Sequence, residues 1–280
     1  MLGAATLRVL DTHDLGDALA VADRDPVANV FVASRLRSAG MDAWRLGAEV
    51  WGYVVDGRLE SICYAGANLV PVEAGPAAIR AYADRARRQG RRCSSIVGPA
   101  EAVGPLWDLL VEAWGPARDV RAGQPVCVAD SPPAVEPDPL VRPVRRDELE
   151  VLLPASIAMF TEEVGVSPVG QDGGALYRAR VAELVSSERA FARIEDGRVV
   201  FKAEVGAATD RVCQVQGVWV APERRGEGLS EAGMAAVVEH ARRRIAPVVS
   251  LYVNDYNTAA RRAYARVGFR EVATFTSVLF

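Results

Sequence analysis

In the second half of the chain, segments typical of strands alternate with segments whose apolar residues recur at helical spacing. Three consecutive segments rich in β-branched and aromatic residues predict strands: Phe191–Ile194, Val199–Val205 and Val212–Val220. Asp196-Gly197 is a turn signal between the first two. The next segment, from Leu229 to about Arg244, has apolar residues at helical spacing instead. This order predicts a mixed α/β layer fold.

Further elements flank this central run. They are a strand at Val141–Val144, helices over Asp147–Glu163 and Leu176–Val185, a strand at Val249–Val253, a helix from Asn257 and a last strand that ends at Phe280. Pro154 should break the first of these helices, because proline lacks the N–H that a helix interior needs. The segment Gly165–Gly174 is glycine-rich and predicts a mobile loop.

The first half shows a similar succession. Strands are predicted at Leu7–Leu10, Val50–Val55, Leu59–Tyr64 and Cys93–Val97, and helices over Asp17–Ala39, Ile79–Gln89 and Ala102–Trp114. Four prolines within Ser131–Pro139 predict an extended linker between the halves. We therefore expect an N-terminal domain over residues 1–130, a linker over 131–139 and a C-terminal domain over 140–280, built as two copies of one fold.

Composition narrows the classes of function. The 280 residues carry 33 basic and 36 acidic side chains, a net charge of −3, which counts against a nucleic-acid-binding protein. Four cysteines without a C-x-x-C pair and two histidines give little material for a metal site, and none is expected. The sequence shows neither a secretory signal nor an apolar run of about 20 residues, so we expect a cytoplasmic protein without a membrane partner.

The segment between Val220 and Leu229 joins a strand end, a glycine turn and a helix start. The first N–H groups of a helix have no partner within it and lie at the positive end of its dipole, so they can bind an anion. Gly226 and Gly228 let a phosphate approach the backbone closely. The turn matches neither a Walker loop nor a dinucleotide-binding fingerprint.

A second polar pattern follows the strand Val249–Val253. Asn257 is a predicted N-cap and Gly268 a predicted C′ residue, so the helix between them has defined ends. Asn257, Arg261 and Tyr264 recur at three- and four-residue spacing and therefore share one face. A hydrogen-bonding stripe of this kind is unlike a face that packs into a core.

The two motifs together resemble the GCN5-related N-acetyltransferase (GNAT) superfamily. Its acyl-CoA loop has the form Q/R-x-x-G-x-G/A, and its later helix often reads N-x-x-A-R-x-x-Y-x-x-x-G-F. The matching residues are Glu223-Arg224-Arg225-Gly226-Glu227-Gly228 in the loop and Asn257, Ala260, Arg261, Tyr264, Gly268 and Phe269 in the helix. The resemblance covers Pro139 to Phe280. It implies an α/β (α+β) protein of two tandem acetyltransferase-like mixed-sheet domains, of the bacterial type in which the N-terminal domain is degenerate and has no assigned role.

The resemblance also implies a co-substrate, acetyl-CoA, and roles for individual residues. The coenzyme's diphosphate is expected on the backbone of Arg225–Ser230, and its pantetheine arm beside Val218–Val220. Tyr264 is expected to donate a proton to the departing thiolate. The expected cofactor-binding residues are Val218, Trp219, Val220, Arg224, Arg225, Gly226, Glu227, Gly228, Leu229, Ser230, Asn257 and Arg261.

Two positions depart from the family pattern. Glu223 replaces the Gln or Arg of the loop motif, and Gln214 or Gln216 stands where many relatives carry a glutamate. Because an amide is not a useful proton acceptor, these positions do not identify the general base. The candidate carboxylates are Glu162, Glu163 and Glu204, of which Glu204 is expected to face solvent. A water molecule, or an amine that arrives neutral, is the alternative.

The first half offers no second acyl-CoA site. Its equivalent turn, Val72–Ala77, has one glycine, and Pro76 supplies no N–H, so we expect this half to shape the acceptor cleft or a partner surface. The leading hypothesis is an N-acetyltransferase that moves acetyl directly from acetyl-CoA to a primary amine of a small molecule or peptide. The alternative is a non-catalytic acyl-CoA-binding sensor or partner-binding protein, and tRNA-dependent aminoacyl transfer ranks third because basicity is low. The sequence specifies no oligomeric state.

Overall fold

The computed structural model describes residues 5–170 and 173–280. Its helices are α1 Leu15–Ala22, α2 Val30–Ala39, α3 Ala43–Leu46, α4 Pro76–Gln89, α5 Ala100–Trp114, α6 Leu149–Val164, α7 Ala175–Ser186, α8 Leu229–Arg244 and α9 Thr258–Val267. Its strands are β1 Ala5–Val9, β2 Glu49–Val55, β3 Arg58–Ala65, β4 Asn68–Val72, β5 Ser95–Pro99, β6 Asp119–Ala129, β7 Arg142–Pro143, β8 Ala190–Glu195, β9 Arg198–Ala208, β10 Val212–Val220, β11 Val248–Tyr252 and β12 Arg270–Leu279. The predicted loop Gly165–Gly174 includes Gln171 and Asp172, which lie outside the described residues.

The chain divides into two compact units. The first holds the described residues up to Val126 together with Tyr252–Tyr256 and Glu271–Phe280, and the second holds Cys127–Leu251 and Asn257–Arg270. The passage from one unit to the other near Val126 lies close to the predicted linker over residues 131–139. The grouping differs from the predicted division at the C-terminus, because β12 pairs with β5 of the first unit over residues 275–279.

The first unit is built on the strand order β1-β2-β3-β4-β5-β12. Pairing is antiparallel from β1 to β4, parallel between β4 and β5, and antiparallel between β5 and β12. A parallel pair needs a crossover connection, which α4 provides. The core buries large side chains completely, among them Tyr82, Ile96 and Leu106.

The second unit repeats this succession. Strands β7 to β10 pair antiparallel, and β10 pairs parallel with β11 across the connecting helix α8. Phe201 of β9 and Met234 of α8 are fully buried where that helix packs on the sheet. The predicted mixed α/β class, with the same fold in both halves, is confirmed.

Several predicted elements were wrong in detail. Helix α6 continues through Pro154, where a missing N–H removes one hydrogen bond without ending the helix. The helix predicted over Asp17–Ala39 is two helices, because the Asp25 carboxylate accepts from the N–H groups of Val27 and Ala28 (3.0 Å each) in a turn. Strands β4 and β6 were missed, since each contains a proline, Pro71 and Pro125.

The structure also bears on membrane-spanning helices, metal sites and disulfides. No helix among them is long and apolar enough to cross a membrane. In the same part of the chain, no three His, Cys, Asp or Glu side chains cluster so that they could hold a metal ion. The four cysteines are buried free thiols, and burial raises the pKa of Cys213 to about 12.

Candidate active site

A cleft of about 670 Å³ opens in the second unit between the end of β10, the start of α8 and one face of α9. Most of the site residues predicted from the sequence line it. They are Glu162, Val218, Trp219, Val220, Arg224, Arg225, Gly226, Gly228, Leu229, Ser230, Asn257 and Tyr264. The two sequence motifs therefore meet in one cavity.

Four predicted residues, Glu163, Glu204, Glu227 and Arg261, are not among those that line the cleft. On α9 the lining residues are Ala259, Ala260, Arg262, Ala263, Tyr264 and Arg266. Successive helix residues point about 100° apart, so Arg262 and Arg266 lie beside the predicted stripe of Asn257, Arg261 and Tyr264, and the sequence analysis did not single them out. The i, i+3, i+4, i+7 pattern would have found Arg262 and Arg266.

A bulge in β10 forms one wall. Its parallel pairing with β11 covers Val212 to Gln214, whereas its antiparallel pairing with β9 continues to Val220, with a register shift between Gln216 and Trp219. Gly217 lies at this shift with φ +60°. A Cβ atom there would lie 3.0 Å from the Met159 Cε atom and 3.2 Å from the Glu204 Cδ atom, so any other residue would be strained by its positive φ and would crowd these side chains.

The N-terminus of α8 forms the second wall. Gly226 and Gly228 have φ values of +88° and +81°, and a Cβ atom on either would meet no atom within 4 Å. Gly228 is the N-cap and supplies no side-chain acceptor. Its carbonyl accepts from the N–H of Glu231 (3.1 Å), whereas the N–H groups of Leu229 and Ser230 have no acceptor in the part of the chain that the structure describes. This end of a 16-residue helix is therefore open to an anion.

Three of the four arginines that line the cleft are paired with carboxylates. Arg224 donates to Glu195 and Glu227, both at 2.7 Å. The hydrogen bond from Arg224 to Glu195, and a second one from Arg193, lower the pKa of Glu195. Arg225 donates to Glu162 at 2.6 Å. Arg266 of α9 donates to Glu231 of α8 at 2.5 Å. An anion that binds these arginines must exchange with their carboxylate partners.

Tyr264 lies on α9 and is only 7% exposed. As predicted, Asn257 caps this helix by accepting from the N–H of Ala260 (3.2 Å), and Gly268 ends it in the left-handed conformation. Burial raises the pKa of Tyr264, and the nearby Glu163 carboxylate raises it further. The phenol is therefore a proton donor, not a phenolate, at neutral pH.

A buried ion pair lies behind the bulge. The Lys202 ammonium is fully buried and donates to Oε2 of Glu204 at 3.1 Å, while Gln216 donates to Oε1 at 2.9 Å. Glu204 is 7% exposed, so the expectation that it faces solvent was wrong. The signal was available: the lone lysine of the chain and Glu204 are two residues apart, on one face of an apolar strand.

Family comparison agrees with this geometry. Residues 159–269 match the model of the Acetyltransferase (GNAT) family. This segment is a GNAT acetyltransferase domain. Residues 48–152 match a domain of unknown function (DUF4081). No curated protein matches the sequence.

Solved GNAT structures resemble the whole chain. A GNAT-family acetyltransferase from Colwellia psychrerythraea is 13% identical with a TM-score of 0.58, over 98% of this chain and 99% of that one. A GCN5-related N-acetyltransferase from Sphaerobacter thermophilus is 16% identical with a TM-score of 0.60, over 98% and 95%. A tandem GNAT protein from the clavulanic acid biosynthesis pathway is 17% identical with a TM-score of 0.56, over 99% and 98%. These likenesses concern the fold, and they agree with two GNAT-like units in tandem.

Proposed function

We propose that the GNAT domain is an N-acetyltransferase that moves an acetyl group from acetyl-CoA directly to a primary amine of a small molecule or peptide. The observation that carries this proposal is that the open N-terminus of α8 and the protonated Tyr264 phenol share one cleft. An anion site and a proton donor are the two groups that an acyl transfer from a diphosphate-bearing thioester requires.

The residues of the cleft fit acyl-CoA. The space beside Gly226 and Gly228 admits a diphosphate to the N–H groups of Leu229 and Ser230. Arg224, Arg225 and Arg266 bring positive charge to the same region. The bulged edge Val218–Val220 offers backbone groups to the pantetheine amides.

Tyr264 supplies the proton at the leaving group. Amine attack on a thioester places negative charge on the carbonyl oxygen and expels a thiolate. Because burial raises the pKa of its phenol, Tyr264 is protonated in the resting site and donates a hydrogen bond to the sulfur as negative charge develops there. As the C–S bond breaks the proton passes to the thiolate, and the phenol regains a proton from solvent before the next turnover.

We assign proton acceptance from the amine to Glu162. It lines the cleft with Tyr264, and its carboxylate is held by the Trp219 indole (Nε1 to Oε1, 3.1 Å) and by Arg225. Glu204, by contrast, is buried and has both oxygens engaged by Lys202 and Gln216. Glu204 therefore acts as a positioning residue, which holds Gln216 and the adjacent bulge.

The test measures both acetyl-CoA binding and acetyl transfer. Acetyl-CoA should bind saturably in calorimetry and raise the unfolding free energy by about 2.7 kcal/mol at 100 times its dissociation constant. A panel of primary amines should then release free CoA thiol, and Tyr264→Phe should bind acetyl-CoA normally but turn over slowly. Saturable binding without thiol release on any amine would instead support the acyl-CoA-binding sensor.

A further inference from the structure

A second cavity, of about 360 Å³, lies wholly within the first unit. It is lined by the start of β2, the β3–β4 turn and the last residues of α4 and α5. The turn that is equivalent to the acyl-CoA loop, Val72–Ala77, lies at the other end of β4 and of α4. The cavity is therefore not a second copy of the acetyl-CoA cleft, and nothing in the proposed function uses it. Its volume is within the range of small-molecule sites.

One wall of this cavity holds a carboxylate in a fixed position. Oε2 of Glu49 accepts from the Trp51 indole (2.8 Å), from Arg85 (3.2 Å) and from Gln89 (3.3 Å). The hydrogen bond from Trp51 is the main cause that lowers the pKa of Glu49. Oε1 accepts no hydrogen bond within the described residues. The group is thus an ionised carboxylate with one oxygen available to a ligand.

The cavity also has a free cation. Arg92 lines it, is exposed, and makes no ion pair or hydrogen bond in the described part of the chain. Glu49 and Arg92 are the only charged side chains among the lining residues. Although Oε2 of Glu49 is paired with Arg85, its Oε1 oxygen is available, so the site offers both an acceptor for a cationic group and a cation for an anionic one. A ligand that carries both charges fits it better than a simple cation or anion.

Apart from Gln89, the other lining side chains are apolar or carry only weak polar groups. Trp51, Leu69 and Trp114 provide large apolar surfaces. Nε1 of Trp114 is buried without an acceptor in the described chain, and so is Nε of Arg85, which lies beside Glu49. A buried donor without an acceptor costs free energy, and of these two donors only that of Trp114 belongs to a lining residue.

We propose that this cavity binds a free amino acid with an apolar or aromatic side chain. The ammonium group pairs with Oε1 of Glu49, and the carboxylate pairs with Arg92. The side chain packs against Trp51, Leu69 and Trp114. The first unit thereby carries a ligand site of its own, separate from the acetyl-CoA cleft.

In the experiment, the full chain is titrated with leucine, methionine, phenylalanine and tryptophan in turn. The indole N–H signals of the protein's own tryptophans are monitored by NMR. At least one amino acid should shift the Trp51 and Trp114 signals saturably and leave Trp219, in the other cleft, unchanged. Phenethylamine and 3-phenylpropionate each lack one of the two charges and should bind about tenfold or more weakly than phenylalanine. No shift with any amino acid, or equal binding of the analogues, would overturn the proposal.

Variants separate this site from amine binding in the acetyltransferase cleft. Glu49→Gln and Arg92→Gln should each weaken the amino acid by about tenfold. Ala67 lines the cavity and is exposed, so a larger side chain there should leave the core undisturbed. Ala67→Trp should fill the cavity and abolish binding of the amino acid. Glu162→Gln is the matched control and should change nothing at Trp51 and Trp114. Shifts confined to Trp219, lost in Glu162→Gln, would assign the ligand to the acetyltransferase cleft and refute this site.

Discussion

Glu162 and Arg225 form an ion pair of 2.6 Å between two residues that line the same cleft. Glu162 lies in the last turn of α6, whereas Arg225 lies in the turn before α8. Both side chains are about half exposed, so the pair contributes little to stability and its partners can exchange. In the proposed reaction, a diphosphate that attracts Arg225 loosens its hold on the carboxylate that accepts the proton. The ion pair thus couples cofactor binding to the base.

Glu162→Gln should move affinity and turnover in opposite directions. Without the competing carboxylate, Arg225 is free for phosphate, and acetyl-CoA should bind about two- to fivefold more tightly, as expected for an exposed pair. Turnover should fall by about a hundredfold or more because the proton acceptor is lost. Calorimetry and steady-state kinetics check the two effects.

Glu239→Gln is the matched control, since Glu239 pairs with Arg243 on the exposed side of α8. It should leave both quantities unchanged. Weaker acetyl-CoA binding in Glu162→Gln would show that the pair organises the cleft and does not compete with the cofactor.

Tyr264→Phe should lower kcat by about a hundredfold and leave acetyl-CoA affinity within about twofold, because only the proton donor is removed. The active form is the protonated phenol, and burial raises its pKa above the usual value of 10. The wild-type rate should therefore show no decline from phenol ionisation up to about pH 10. Tyr256→Phe, at an exposed tyrosine, is the control. An unchanged kcat in Tyr264→Phe would refute the acid role.

The sequence predicted the second half well because strand and helix periods differ clearly there. The limits of β10 at Val212 and Val220, and both caps of α9, agree with the structure. The first half was predicted less well, because Pro71 and Pro125 disfavour the strand assignment of β4 and β6. In both strands, tertiary pairing outweighs a local signal that disfavours a strand.

For the site, motifs identified the glycine turn and Tyr264, but not the partners of their charges. The bonds from Arg225 to Glu162 and from Arg224 to Glu195 join residues 63 and 29 positions apart, which no local spacing reveals. The Lys202–Glu204 pair is different, because its two-residue spacing within an apolar strand was visible in the sequence. Strands β8 and β10 flank β9 on either side and complete the burial of the pair.

Gly217→Ala should mainly lower the stability of the protein, whereas Gly226→Ala should also lower its affinity for acetyl-CoA. Both adopt positive φ, which costs a non-glycine residue about 1–2 kcal/mol. At Gly217 a methyl group also meets Met159 and Glu204, so the total loss of unfolding free energy should be about 2–4 kcal/mol. At Gly226 the methyl group meets nothing but extends into the expected diphosphate site, and acetyl-CoA affinity should fall about tenfold or more. Urea unfolding and calorimetry distinguish them, and full affinity in Gly226→Ala would contradict the assigned loop.

Glu148 should make the second unit sensitive to acid. Arg142 donates two hydrogen bonds of 2.7 Å to its carboxylate, which lowers the pKa of Glu148 from 4.5 to about 2. A carboxyl group with a lowered pKa in the folded state stabilises fully above the unfolded pKa of 4.5, and this contribution is lost as pH falls towards 2. Glu148→Gln should therefore be less stable than wild type above pH 4.5, with the difference shrinking below it. Denaturant unfolding across this range checks the effect, and a difference independent of pH would contradict it.

The buried Lys202–Glu204 pair should show strong coupling in a double-mutant cycle. Lys202→Met leaves a buried carboxylate without its cation, and Glu204→Gln leaves a buried ammonium without its anion, so each should lower the unfolding free energy by about 3–5 kcal/mol. The double variant leaves no unpaired charge and should recover much of that loss. The exposed Arg243–Glu239 pair should lose no more than about 1 kcal/mol in the same cycle. If the double variant also regains turnover, the pair serves only to hold the bulge at Gly217. If stability returns but turnover does not, the Glu204 carboxylate itself is needed to position Gln216, as the geometry indicates.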